Sequence, residues 1–146
     1  NNAEEAMNFY VSICKNAKIL SLTRYGEAGP GTKGTVMTGS FQLEGQEFVA
    51  LNGGPHFKFT EAISLVVGCE NQEEVDYFWN KLSADPESEV CGWLKDKFGL
   101  SWQIIPKQMG ELLGSPDRKK ALAATNVMLK MKKIVIADLQ RAFDQA

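Results

Sequence analysis

Apolar residues recur along this chain with two periods, and the switches between them mark out its elements. Ala6, Phe9, Tyr10 and Ile13 fall at i, i+3, i+4 and i+7, which predicts a helix over residues 2–15. Asn2 stands at the cap position, and Glu4 and Glu5 suit the positive end of the helix dipole. Residues 18–25 alternate as a strand. Residues 26–34 hold four glycines and a proline and read as a loop. Alternation resumes over 35–43, Glu44-Gly45 reads as a tight turn, and 46–51 form the next strand of a hairpin. After a loop at 52–59, residues 61–69 are strand-like. Asn71 then caps a helix with Val75, Phe78, Trp79 and Leu82 on one face. Residues 85–89 are a polar loop, and 90–95 and 100–105 are strands around an Asp96-Lys97-Phe98-Gly99 turn ended by Pro106. Two helices follow, from Asp117 to about Met131 and over 136–143. Their apolar stripes need burial, and a dimer partner is where this reading places it.

The two helical segments are alike. Ala3-Glu4-Glu5-Ala6-Met7-Asn8-Phe9-Tyr10 aligns without gaps with Gln72-Glu73-Glu74-Val75-Asp76-Tyr77-Phe78-Trp79, and Ile13 falls on Leu82. Gly45-Gln46-Glu47-Phe48 aligns with Gly99-Leu100-Ser101-Trp102. Each half reads as helix, strands, glycine turn and an aromatic on the last strand, the order of a duplicated unit. A strand precedes the second helix and none precedes the first, so the repeat predicts a missing first strand ahead of Asn1.

Composition narrows the classes. A length of 146 residues fits one domain, or two small halves on one core. A net charge of −2 gives no electrostatic basis for nucleic-acid binding. His56 is the only histidine, which excludes a metal site or triad built on two histidines of one chain. Cys14, Cys69 and Cys91 form no C-x-x-C pair, so neither a zinc knuckle nor a thioredoxin-type site is written here. Few cysteines and no secretory pattern fit a reducing cytoplasm, and no apolar run is long enough to span a bilayer. Gly29-Pro30-Gly31-Thr32-Lys33-Gly34 matches G-x-G-x-x-G, but a strand follows where the dinucleotide fingerprint needs a helix. It reads instead as a hairpin loop and a candidate lid. Cys69 and Cys91 read as small hydrophobes, and the basic residues from Arg118 to Lys133 as a solvated face.

Three stretches carry a family resemblance. Glu4-Glu5-Ala6-Met7-Asn8-Phe9-Tyr10, Ala50-Leu51-Asn52-Gly53-Gly54-Pro55-His56-Phe57-Lys58-Phe59 and Cys91-Gly92-Trp93-Leu94-Lys95-Asp96-Lys97-Phe98-Gly99-Leu100-Ser101-Trp102-Gln103 resemble the PhnB-like family. Its members are often labelled 3-demethylubiquinone-9 3-methyltransferase domain and sit in the glyoxalase/bleomycin-resistance, or vicinal oxygen chelate, superfamily. The resemblance implies an α+β fold of paired βαβββ modules curled into a cup, usually in a homodimer. Here that means a single domain over 1–146, with modules at about 1–55 and 60–106 and a helical extension at about 107–146. The superfamily uses its cup for a divalent metal and an oxygen-rich substrate, or to sequester a drug.

The same resemblance implies where metal ligands would stand: the first and last strand of each module. The first-module strand is absent, and its last-strand position falls at Val49 or Ala50, which cannot ligate. The second-module positions fall on Ser64 and Gln103, one hydroxyl and one amide, a poor set for a catalytic metal. The expectation is therefore a cup without the full metal site, with a divalent metal as the minor alternative and no other cofactor. Ser101, Gln103 and Ile105 share one strand face, and Trp102, matching Phe48, packs under a helix on the other. Gln103 and Ser64 are the leading ligand-binding candidates, with Trp93, His56 and Asn52 beside them. Trp93 is a pocket wall or a core residue. His56 is a rim ligand or a local loop residue, and Asn52 a donor into the cup or a turn former. No catalytic residue is assigned. The functional expectation is a cytoplasmic, homodimeric small-molecule binder that takes neither nucleic acid nor membrane. Its alternatives are a metal-dependent glyoxalase- or dioxygenase-type enzyme, and the methyltransferase of the label. The last lacks the glycine turn between strand and helix that S-adenosylmethionine enzymes of the common type use.

Overall fold

The repeat is visible in the helices themselves. The first, α1 (Ala3–Ile13), and the second, α2 (Gln72–Leu82), have 11 residues each and begin and end at equivalent positions. Tyr10 and Trp79 are buried at one such position, Ile13 and Leu82 at another. In this computed structural model, which describes residues 1–146, the α+β chain forms two compact units, Asn1–Lys58 and Phe59–Ala146.

The first unit holds β1 (Lys18–Arg24), β2 (Val36–Leu43) and β3 (Gln46–Leu51) in an antiparallel sheet of order β1-β2-β3. The β2–β3 hairpin turns at Glu44-Gly45, with Leu43 opposite Gln46 and Thr38 opposite Leu51. Helix α1 lies against β2, and Gly39 sets how closely. A Cβ there would come within 2.6 Å of Met7 Cε and 2.8 Å of Leu22 Cδ2, so only a hydrogen leaves room for the fully buried Met7. Phe41 stacks against Tyr10 and Phe48 with ring centroids 6.4 and 5.5 Å apart.

Asn2 makes no side-chain cap on α1. Asn52, 49 residues away from Ala3, takes that role: its Oδ1 accepts from the Ala3 amide at 3.0 Å, and its Nδ2 donates to the Val36 carbonyl at 2.8 Å. The loop after β1 is closed on Tyr25. Tyr25 N–H donates to the Thr35 carbonyl, Gly34 N–H returns to the Tyr25 carbonyl, and the Tyr25 hydroxyl donates to the Asn52 carbonyl at 3.2 Å.

The second unit holds β4 (Ser64–Cys69), β5 (Trp93–Lys95) and β6 (Ser101–Pro106) in the order β4-β6-β5. β4 and β6 are parallel, with Ser64 opposite Ser101 and Cys69 opposite Pro106, and α2 lies in the crossover. Asn71 caps α2 as expected, accepting from Glu74 N–H at 2.9 Å. Residues 90–95 do not form one strand. Cys91 and Gly92 take φ of 50° and 86°, a tight turn in which Val90 and Trp93 exchange backbone hydrogen bonds of 3.1 and 2.8 Å. Both sheets therefore have three strands.

The C-terminal residues form α3 (Lys107–Leu113), α4 (Arg118–Met128) and α5 (Ile136–Asp144). Their stripes do not await a partner chain. Leu112, Ala124, Ile134 and Leu139 are buried together, with Met109, Val127 and Phe143 packed on them. The connecting strap is tied to its own unit: Cys91 and Gly92 N–H donate to the Met131 and Lys132 carbonyls at 2.8 Å each. The Gln72 amide donates to the Ile134 carbonyl at 3.0 Å and accepts from Ile136 N–H at 2.8 Å. No helix is long and apolar enough to cross a membrane.

Candidate functional site

Alternation along β4 and β6 sends every second side chain to the face opposite α2. Ser101, Gln103 and Ile105 lie on that open face of β6, and Ser64, Val66 and Gly68 sit opposite them on β4. Trp93 on β5 pairs with Gln103 from the other side. Three of the sequence candidates thus meet in one place. Gln103 Nε2 donates to Ser64 Oγ at 2.9 Å, and half-buried Trp93 flanks the amide. This bond leaves the Gln103 carbonyl oxygen and the Ser64 hydroxyl proton uncommitted, so the pair offers one acceptor and one donor. Lys95, on the same face, donates to the Glu61 carboxylate, and that hydrogen bond raises the ammonium pKa above its ordinary value.

The opposite face of β6 is core. Trp102 is buried, and its indole N–H donates to Asp96 Oδ2 at 2.8 Å. Asp96 Oδ1 also accepts from Phe98 N–H at 2.8 Å and Leu100 N–H at 3.1 Å. This carboxylate is only 3% exposed, where the sequence pattern alone reads a turn residue. Its sequence signal is an Asp opening an Asp-x-x-Gly turn six residues ahead of Trp102.

The other two candidates lie in the first unit. Asn52 is spent on Ala3 and Val36, as a structural tie. His56 is exposed in the segment after β3. On the first sheet, Val49 projects to the open face beside Ser40, while Ala50 pairs with Gly39 on the helix side. The residues present do not fit a resident metal. Val49 supplies no donor, Ser64 and Gln103 supply two neutral oxygens, and no three His, Cys, Asp or Glu side chains come together. Two of the three thiols are held unreactive. Burial pushes the Cys14 and Cys69 thiols up to about 11, so both stay protonated at neutral pH.

Comparison with known proteins agrees with this architecture. The family model described as 3-demethylubiquinone-9 3-methyltransferase matches residues 1–105. A Bacillus cereus protein, described as a candidate 3-demethylubiquinone-9 3-methyltransferase, PhnB protein, is 43% identical over 73% of this chain and 92% of its own, with a TM-score of 0.63. Protein PA1353 from Pseudomonas aeruginosa is 16% identical over 72% of this chain and 89% of its own, with a TM-score of 0.55, a likeness of fold. No curated protein matches.

Proposed function

For a chain that belongs to the 3-demethylubiquinone-9 3-methyltransferase (PhnB-like) family, we propose binding of a small organic molecule, without a resident metal, on the open face of the second sheet. Gln103 and Ser64 supply the hydrogen-bonding pair and Trp93 a wall. The observation that carries this reading is the Gln103–Ser64 bond at 2.9 Å between two half-buried side chains on the face opposite α2. The Gln103 carbonyl oxygen keeps its accepting capacity and can take a ligand donor in place of water. In the same reading the chain works as a cytoplasmic homodimer. Exposed Val49, Leu51 and Val66 on the open faces support a second copy, since such apolar surface favours association. Metal analysis of protein purified without chelator tests the metal-free part. Substoichiometric metal is expected. Stoichiometric zinc, manganese, nickel or iron that falls in Gln103→Ala would overturn it in favour of a metal-dependent lyase or dioxygenase.

The family's name favours a second reading, methyl transfer. Its glycine-rich segment, however, joins two antiparallel strands and closes on Tyr25, where a methyl-donor site of the common type needs a strand-to-helix turn. Calorimetric titration with S-adenosylmethionine is expected to give no saturable heat. A saturable isotherm would restore the methyltransferase reading.

A further inference from the structure

A groove of about 310 Å³ continues the open face of the second sheet beyond Gln103. Its floor is Val66, Gly68 and Ile105, and its far wall is Pro106, Lys107 and Gly110. The family match ends at residue 105, so that wall is built by the C-terminal extension. We propose that this groove holds the apolar body of a neutral, hydroxyl-bearing ligand whose head group sits on Gln103 and Ser64. The inference rests on the reading above and adds to it the ligand's chemical class and a second binding surface.

Three observations carry it. First, the face is graded along β4 and β6: Ser64 and Gln103, then Val66 and Ile105, then the Glu70–Lys107 ion pair at 2.6 Å. From Gln103 to the end of β6 at Pro106 is three strand steps, about 10 Å, long enough for a fused-ring molecule. Second, Gly68 and Gly110 keep the groove empty: a Cβ at either meets nothing within 4 Å. Third, the charges bordering the face are paired, Lys95 with Glu61 at one end and Lys107 with Glu70 at the other. An anionic ligand would have to break one of these pairs to reach a cation. The head-group assignment follows from the Gln103–Ser64 pair. A hydroxyl both donates and accepts, so it is satisfied whichever way the Gln103 amide is turned.

The test uses 1-naphthol, a neutral fluorescent phenol, with 1-naphthoate and 1-naphthylmethylammonium as its charged counterparts. Saturable binding of 1-naphthol is expected, with both charged analogues weaker by about tenfold or more. Gly68→Leu and Gly110→Leu, which fill the groove from two elements, should each weaken 1-naphthol by about tenfold while circular dichroism and melting stay those of the native chain. Gln103→Leu reports on the head group alone. If Gln103→Leu abolishes binding and both glycine variants bind normally, the groove is refuted and the open-face reading stands. If the glycine variants weaken binding and Gln103→Leu does not, the open-face reading falls. Equal binding of either charged analogue refutes the neutral class, and no saturable 1-naphthol binding refutes the inference as a whole.

Discussion

Asp96 and Asn52 show what single polar side chains do in this fold. Asp96 takes three N–H donors on one buried carboxylate, among them the indole of Trp102. Asp96→Ala would leave those donors unpaired, so we expect a loss of about 2–4 kcal/mol in urea unfolding. A loss under about 0.5 kcal/mol, the level of an ordinary surface change, would contradict this role. The buried thiols predict a pH effect. Cys14 and Cys69 are raised from 9.0 to about 11, desolvation being the main cause and Glu44 and Glu74 the smaller ones. A folded value above the unfolded one means stability that is complete below the unfolded value and is lost as pH rises towards the folded one. Stability should therefore fall between about pH 9 and 11, and fall less in the Cys14→Ala/Cys69→Ala double variant. Equal falls by urea midpoint would contradict it. At this scale the sequence revealed residue types but not partners. Asn52 was legible as a polar group, whereas its bond to Ala3 spans 49 residues and no local pattern encodes it.

Local periodicity is strong enough to place elements, and it misleads where a turn interrupts it. α1, α2 and the β2–β3 hairpin lie where apolar spacing and Glu44-Gly45 put them. The Asn71 cap was legible because its partner is three residues away. Cys91-Gly92 was misread as strand, because alternation says nothing about two consecutive positive φ angles. α3 was missed because Gly110 and the preceding Pro106 mask the spacing of Met109, Leu112 and Leu113. Strand β2 predicts its own fragility. Gly39→Val would force Met7 off the sheet, and we expect a loss of about 2–3 kcal/mol by denaturant unfolding. An unchanged midpoint would show that α1 does not approach β2 at Gly39. Removing residues 134–146 should destabilise the second unit itself, since Ile134 and Leu139 are fully buried within it. A truncated chain that melts like the intact one would contradict that.

For the molecule, the repeat is plain in α1 and α2 while the two sheets differ in strand order, and the chemistry came down to three residues meeting on one face. Ser64 and Gln103 were singled out by the family resemblance and alternation set Gln103 opposite Trp102, while Trp93 stayed open between pocket wall and core until the strand pairing placed it beside Gln103. The groove beyond them was not legible, because it depends on α3, which the pattern hid. Assembly is open to direct measurement. Sedimentation should give a dimer, and Val49→Lys/Leu51→Lys should shift it towards monomer, since those side chains are 71% and 64% exposed on the open face of the first sheet. A monomeric native chain would contradict the proposed dimer. Metal-free binding at Gln103 is tested most directly by following its side-chain amide in a ¹H–¹⁵N spectrum while 1-naphthol is added in the presence of EDTA. We predict a saturable shift of that amide together with the Val66 and Ile105 backbone signals. An amide that does not move, or that moves only after a divalent metal is restored, would contradict the account.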